Sequence, residues 1–571
     1  MGEGGLTEKK SQNASPYAGR WVARLQGHII AHGGTPEQAL IAAQKSRHKE
    51  KPEIIYMPLE SSFAVSPLLE RLCAALPDQE MYLVGGAVRD ALLGRVSHDL
   101  DLAIPKDAIA VARRAAAILN ADFYVMDESF DIARVIVSTE NGSRDILDFS
   151  AFRGPDLDAD LRGRDFTINA IAFDPRRQAI LDPLNGAADL RAKLIRACSA
   201  TSLDDDPIRI LRAVRQAAAF GFKIESDTRA AMKRAANLLP NISPERQRDE
   251  LFKILEGPRP DASIRTLEML GVFPYLLPEL SAMKGVGQSA PHVSDVWEHT
   301  LSMMQNLEGI LAVLVPPSFI PSSLPTDNGL GIRDNGSNDL FTGLLTLRLG
   351  RYGEKFVAHF SKSLNPDRSM RALLFFAALY HDVSKPATKS VDETGRIRFF
   401  DHDQLGAKVA SERARAFNLS NDEIDRLKII IENHMRFHAF SSRMEGGKQE
   451  PSRKAIYHFF RDSGEGGVDL VLLGLADLRG TRGHTLTQET WAAALDIARL
   501  LLENFWERPE ETVAPPRLVN GLDVINEYKL EQGPVVGQVL EAIREAQATG
   551  KVSTREEALV FGREWLKENQ K

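Results

Sequence analysis

Residues 82 to 104, YLVGGAVRDALLGRVSHDLDLAI, constrain the fold more than any other stretch of the chain. An apolar strand runs into a Gly-Gly turn, a helix opens with Arg89 and Asp90, and after Gly94 a second strand carries Asp99 and Asp101 separated by one leucine. In an extended strand residues i and i+2 project to one side. Leu100 and Leu102 are therefore expected to bury while both aspartates stand together at a solvent edge. Carboxylates that close repel unless a divalent cation lies between them, and paired carboxylates with substrate phosphates are the usual oxygen-rich setting for Mg²⁺. Gly85 and Gly86 supply the other half, because a backbone without Cβ atoms can approach a triphosphate closely. The N-terminus of the helix holding Arg89 turns N–H groups and a positive dipole toward the same place. A Gly-Gly turn alone is commonplace, and so is a single Asp-x-Asp. Their succession within about two dozen residues predicts a nucleotidyl-transfer site, with Asp99 and Asp101 as its catalytic Mg²⁺ ligands.

The remainder of the chain is organised around that segment. At 571 residues it exceeds one core, and the usual domain size gives roughly three to five modules. Residues 1–56 are polar, with a helical stretch TPEQALIAAQKSRH capped by Thr35 and no readable role. From 57 to 195 strands (YLVGG, DLDLAI, ARVIVST, RDILDF, NAIAFD, AILDP) alternate with helices such as AIAVARRAAAILN, the pattern of an α/β head. After Ala200 strand signals fade and apolar spacings of three and four take over. The expected class is α+β: an α/β head, a helical neck over 196–275, a helical domain over 276–485 and a helical tail over 486–571. Residues 314–339, rich in Pro, Ser, Gly and Asn, read as an exposed insertion, and GEGG at 464–467 and RPEETVAPP as loops.

Composition narrows the function class. With 43% hydrophobic and 26% charged residues the chain reads as soluble and globular. No run approaches the roughly 20 apolar residues of a membrane span, and MGEGGLTEKK lacks a signal-peptide core. Cys73 and Cys198 are too few for a disulfide framework or a cysteine zinc site and fit a reducing compartment, so a cytoplasmic location is expected. The net charge of −7 confines any RNA contact to local patches.

The next motif is DLRGRDFTINAIAFD at 160–174, which reads equally as an arginine holding nucleotide phosphates, with Asn169 bracing the turn, or as a salt-bridged loop. Beyond it, DDDPIRILRAVRQ at 204–216 puts Asp206 and Arg209 three residues apart, so both are expected on one helix face, with Arg212 and Arg215 extending the stripe. A carboxylate accepts from the exocyclic amine of cytosine or adenine while a guanidinium donates to the adjacent ring nitrogen. Uracil and guanine present the reverse pattern, so one Asp-Arg pair can select C and A without a nucleic-acid template. In an isolated helix the same pair reads as a surface salt bridge.

In this order the motifs resemble the class II tRNA nucleotidyltransferase and bacterial poly(A) polymerase family. That resemblance implies a nucleotidyltransferase-fold head, Asp206 and Arg209 as the amino-acid template for the incoming base, and phosphate-holding arginines at Arg89, Arg164, Arg212 and Arg215. The family's second signature opens with two adjacent arginines, and this chain has Gly163 in the first place. The family usually carries Phe where Gln216 stands. DPLNGAADL at 182–190 resembles a third family segment, read as a structural turn into the neck. Asp131 and Arg134 resemble the family's flexible loop, and Asp148 reads as either a third carboxylate near the metals or a strand-end cap.

A second constellation lies between 291 and 480: His299 in VWEHTLSMM, His381-Asp382 in AALYHDVSKP, His402 in FFDHDQLGA, His434 in IIENHMRFH and Asp477 in LADLRG. Imidazole and carboxylate ligands suit a hydrolytic divalent metal. The pattern resembles the HD phosphohydrolase superfamily, which implies His299, His381, Asp382 and Asp477 as metal ligands, with His402 and His434 near a second position. The metal is a divalent transition ion or Mg²⁺, and phosphate monoesters and cyclic 2′,3′-phosphates on RNA ends are the natural substrates to test. Residues 516–559 resemble the C-terminal part of tRNA nucleotidyltransferases with such a domain, with Thr554 ahead of Glu557 as a capping box. The expectation is addition of C, C and A to the 3′ end of tRNA from CTP and ATP, with two Mg²⁺ in the head. A poly(A) polymerase, a CC-only or A-only enzyme, and an HD hydrolase with an RNA-binding head stand as alternatives.

Overall fold

The computed structural model describes residues 20–25, 28–33, 36–45, 52–57, 66–95, 97–138, 144–315, 338–445 and 450–569. It divides into two compact units, Met1–Leu238 and Leu239–Lys571. Residues 316–337 of the expected insertion and the expected Thr35 cap lie outside the described residues.

The N-terminal residues form more than the helix expected of them. Strands β1 (Arg20–Leu25), β2 (His28–Gly33) and β3 (Glu53–Met57) make an antiparallel sheet in the order β2-β1-β3, and α1 (Pro36–Lys45) brings Ala39 and Ala43 into its core. Val22 and Ala23 are both fully buried, and the register shifts between Ala23 and Arg24. A bulge with two consecutive buried residues breaks the period-2 pattern by which a strand is read.

The head follows the expected alternation. After α2 (Pro67–Ala75) come β4 (Tyr82–Val84), α3 (Gly86–Leu92), β5 (Asp99–Ile104), α4 (Ala108–Leu119), β6 (Asp122–Asp127), β7 (Ile132–Ser138), β8 (Arg144–Ala151), α5 (Leu157–Arg162), β9 (Ala172–Asp174), β10 (Ala179–Leu181) and α6 (Gly186–Arg191). The strands form one seven-stranded sheet, β10-β9-β4-β5-β8-β7-β6. Within it β5 and β8 run parallel and the other neighbours antiparallel. Its core joins Leu83, Leu102, Val135, Leu147 and Phe149 to Val111, Ala112 and Ala115 of α4. Strand β6 was absent from the expected set because it is an edge whose Tyr124, Val125 and Met126 are exposed, so no buried face shows in its sequence.

The neck contains α7 (Ser202–Asp205) and α8 (Arg209–Phe220). Helix α8 buries Ile210, Leu211, Ala213, Val214 and Gln216 and stops at Gly221, whose φ of 66° is the left-handed cap that glycine adopts without strain.

Among the described residues the second unit is helical apart from a hairpin of Lys389–Val391 with Ile397–Phe399. The helix Met370–Tyr380 is buried along its whole length. Ser420 caps the helix Asn421–Asn433, and its partner Glu423 also takes a buried bidentate pair from Arg368 at 2.7 and 2.8 Å. The expected loop at GEGG is half helix, since Gly466 already begins Gly466–Arg482, and RPEETVAPP contains a helical turn over Pro509–Val513. The expected capping box at Thr554 is present, with reciprocal bonds of 3.2 Å to Glu557. Among the described residues no helix is long and apolar enough to cross a membrane.

Candidate active site and metal centre

The pleat of β5 does what its sequence implied. Leu100 and Leu102 are 4% and 0% exposed, Asp99 is exposed and Asp101 half-buried on the opposite face. Asp101 lies in register with Val84 at the end of β4 and with Asp148 on β8. Gly85 follows Val84 with φ 73°, and a Cβ there would sit 2.7 Å from Asp101 Oδ2 and 3.4 Å from a terminal nitrogen of Arg164. The glycine is thus required twice, for its left-handed conformation and for the carboxylate pressed against it. Burial raises the Asp101 pKa; Arg164 opposes the rise, and Asp148 and Asp99 add to it. A divalent cation among Asp99, Asp101 and substrate phosphates would relieve that repulsion, so the residues fit the ion expected of them.

The arginines divide into those at this site and those bracing it. Arg164 donates to buried Asp160 from Nε and Nη2 at 3.2 and 3.0 Å, which holds its guanidinium beside Gly85. Arg89, expected to bind phosphate, stands at the Gly-Gly turn, its Nη2 3.4 Å from where a Cβ on Gly86 would lie. It grips Asp90 at 2.9 and 3.0 Å, donates to Asn169 Oδ1 at 2.8 Å and lies 4.5 Å over the Phe220 ring. Arg212 donates from Nε to Asp165 Oδ2 at 2.9 Å, and Arg215 follows it on α8. Burial works against ionisation of Asp165, yet Arg212 and Asn169 hold its pKa below the usual carboxylate value.

Asp206 and Arg209 do not share a helix face. Helix α7 ends at Asp205 and α8 begins at Arg209, with Asp206 extended between them (φ −145°, ψ 91°). Pro207 is the cause, because proline disfavours helical geometry in the residue before it. The Arg209 guanidinium is largely anchored on main chain. Nη1 donates to the carbonyls of Arg164 and Ser202 at 3.2 and 3.1 Å and to Ser202 Oγ at 2.7 Å, and Nη2 to the Gly163 carbonyl at 2.8 Å. Asp131 and Arg134, likened to a flexible loop, lie just before and within β7. Asp131 caps α4, accepting from Ala108 and Ile109 N–H at 2.7 and 2.8 Å, and Arg134 makes a bidentate pair with Asp148 at 2.8 Å in a regular strand pair.

In the second unit all six residues of the histidine-aspartate set converge and are buried. His299 lies in the helix Val296–Leu314, His381-Asp382 follow Met370–Tyr380, His402 opens His402–Ala416, His434 follows Asn421–Asn433, and Asp477 lies in Gly466–Arg482. Ligand atoms of His299, His381 and Asp477 lie within 4.8 Å of one another, as do those of Asp382, His402 and His434. The Nδ1 atoms of His381, His402 and His434 each face a backbone carbonyl at 2.7 to 2.8 Å, which fixes the tautomer and leaves Nε2 to ligate. Burial lowers the His434 pKa to about 3, keeping the ring neutral, and His381 and Lys385 outweigh burial to hold Asp382 well below the usual range. His299 Nδ1 and Asp382 Oδ1 are buried without a hydrogen bond, while His299 Nε2 lies 3.0 Å from Asp477 Oδ1 and His381 Nε2 3.1 Å from Asp382 Oδ2. Such orphaned polar atoms are costly unless a cation fills the space, so this donor set also fits a metal.

Two contacts escaped the sequence. His438, one helical turn beyond His434, meets the second oxygen of Asp477, and Lys385 joins Asp382 Oδ2 to Gln288 Oε1 at 2.7 Å each. The i+4 spacing of His434 and His438 was the available signal.

The chain's relatives agree with this geometry. Residues 81–196 match the Poly A polymerase head domain, 221–284 the family described as "Probable RNA and SrmB- binding site of polymerase A", and 351–459 the HD domain. Residues 12–60 match a family of unknown function. The A-adding tRNA nucleotidyltransferase of Deinococcus radiodurans is 33% identical over 493 residues, 85% of this chain and 95% of the relative. The CC-adding tRNA nucleotidyltransferase of Thermus thermophilus is 30% identical over 85% of this chain and 94% of its own length. In fold the chain is similar to the Bacillus stearothermophilus CCA-adding enzyme in complex with CTP (TM-score 0.51, 21% identity, 89% and 99% covered). It is equally similar to the Thermotoga maritima CCA-adding enzyme complexed with tRNA (TM-score 0.51, 21% identity, 88% and 96% covered). Identity sustained along nearly the whole of these relatives, over a head with paired carboxylates and an HD domain, means that the chain belongs to the tRNA nucleotidyltransferase family.

Proposed function

We propose that the head adds C, C and A to the 3′ end of tRNA from CTP and ATP. The observation that carries this reading is the approach of Asp101 to the Gly85 turn, with Asp99 beside it and Arg164 opposite. In the reaction the terminal 3′ oxygen bonds to the α-phosphorus as the bond to the β-phosphate oxygen breaks and pyrophosphate leaves. Mg²⁺ held by Asp99 and Asp101 would activate the hydroxyl and neutralise the triphosphate. Gly85 and Gly86 leave room for phosphates, and Arg164, Arg212 and Arg215 supply positive charge. Arg209 keeps Nε–H and one Nη2 hydrogen beyond its anchors on Gly163, Arg164 and Ser202, enough to donate to a ring nitrogen while Asp206 accepts from the exocyclic amine. We divide the chain into an N-terminal module (1–56), head (57–195), neck (196–275), HD domain (276–485) and tail (486–571), and place it in the cytoplasm.

A narrower specificity is the second reading, favoured because near-full-length relatives include one A-adding and two CC-adding enzymes. The test is to offer tRNA ending before CC, after C and after CC, with CTP or ATP singly, and to read product lengths. Growth from every end to CCA supports the first reading, growth from only some ends the second, and long A tracts a poly(A) polymerase. For the HD centre we propose metal-dependent hydrolysis of phosphate monoesters or cyclic 2′,3′-phosphates on RNA ends. Turnover of such substrates that survives loss of Asp99 and Asp101 but stops on loss of His381 supports it, and no turnover with any divalent metal refutes it.

A further inference from the structure

Gln216 is a polar side chain on the buried face of α8, 3% exposed among Ile210, Leu211, Ala213 and Val214. A buried amide is costly unless its hydrogen bonds are made, and this one takes part in a connected set. Asn169 Nδ2 donates one hydrogen to Gln216 Oε1 at 3.1 Å and the other to Asp165 Oδ1 at 2.9 Å. Asn169 Oδ1 accepts from Arg89 at 2.8 Å, and Asp165 Oδ2 accepts from Arg212 Nε at 2.9 Å. One asparagine thus joins three elements: the helix after the Gly-Gly turn, the Asp165 loop and α8. Phe220, one turn beyond Gln216 on α8, covers the Arg89 guanidinium. On the other side of Asp165, its neighbour in sequence Arg164 stands beside Gly85 and the Asp101 carboxylate.

We propose that Gln216 is a positioning residue for nucleotide binding: by accepting from Asn169 it fixes that amide, and through Asp165 it sets where α8 holds Arg212 relative to the Asp-x-Asp strand. This rests on the nucleotidyl-transfer reading of the head. With the acceptor present, Asn169 must present Nδ2 to both Asp165 and Gln216 and Oδ1 to Arg89. Without it, one buried N–H is unsatisfied and the amide shifts on its two remaining bonds, loosening Arg89 and the Asp165–Arg212 pair together.

The test uses the full chain on a tRNA end that it extends, measuring kcat and the KM of nucleotide and of tRNA separately. Gln216→Met keeps the length and removes the acceptor; it should raise the nucleotide KM by about tenfold with the tRNA KM unmoved. Gln216→Glu, which restores an acceptor oxygen, should recover most of the loss. Placed on Asn169→Ala, Gln216→Met should add nothing, since the residue acts through that amide. If Gln216→Met does not fold, Gln216→Asn, whose acceptor is withdrawn by one methylene, should show the same rise. An unchanged nucleotide KM, equal changes for both substrates, or full additivity with Asn169→Ala would overturn the proposal while leaving nucleotidyl transfer intact. Failure of the unmodified chain to incorporate any nucleotide would overturn both.

Discussion

The two metal-competent places in this protein are built on opposite principles. In the head, two carboxylates on one strand stand at a solvent edge, one exposed and one half-buried, with arginines held alongside by Asp160 and Asp165. In the HD centre four imidazoles and two carboxylates are buried within one helical unit, three of the rings pinned through Nδ1. The first leaves oxygen ligands to be completed by a substrate and suits Mg²⁺, which keeps its waters and is shared with phosphates. The second is formed in advance, and nitrogen-rich ligands favour a transition ion. On the function proposed above, one chain would separate a metal that arrives with substrate from a metal that resides.

The sharpest way to break that contrast is Asp101→Asn. It should lower nucleotide incorporation by at least about 10³-fold while tRNA binding persists and HD-dependent hydrolysis continues; undiminished incorporation would sink the head assignment. His381→Ala should do the converse, abolishing hydrolysis and the co-purifying metal found by elemental analysis while leaving incorporation within about twofold. Retained metal at full stoichiometry would show that the buried set does not ligate.

Gly85→Ala probes the approach of turn to carboxylate. The new Cβ would fall 2.7 Å from Asp101 Oδ2 at a φ of 73°, so incorporation should drop by about 10- to 100-fold, on top of left-handed strain of about 1 to 2 kcal/mol. Single-turnover rates beside a melting curve separate the two effects. Arg209→Ala should relax the choice between CTP or ATP and UTP or GTP and, by orphaning main-chain carbonyls, cost about 1 to 3 kcal/mol of stability. A loss of stability with nucleotide preference unchanged would make Arg209 a purely structural anchor. Least of all, Asp131→Ala should cost about 1 kcal/mol by uncapping α4 and leave the order of nucleotide addition alone, as measured by denaturation and by product lengths.

How much of this was legible in the sequence depended on whether a feature is local. The Asp-x-Asp strand was readable because the pleat decides which side chains bury, and Leu100 and Leu102 do so. The histidine-aspartate set was readable as ligand types in helical settings. Strand β6 and the N-terminal sheet were not, since an exposed edge and a bulge erase the alternation on which strand reading depends. Asp206 and Arg209 were placed on one face although Pro207, visible between them, interrupts the helix.

By itself the sequence determined where charge and apolarity fall along each element, and so the carboxylate pair, the glycine turn and the amphipathic α8. Only the tertiary structure decided which arginine meets which partner: Arg89 is drawn to Asp90 and Asn169, Arg209 to carbonyls, Arg212 to Asp165 and Arg164 to Asp160. The reason is physical. A guanidinium carries five donors on a long flexible stem, and its choice among acceptors rests on three-dimensional proximity and burial, which spacing along the chain does not encode.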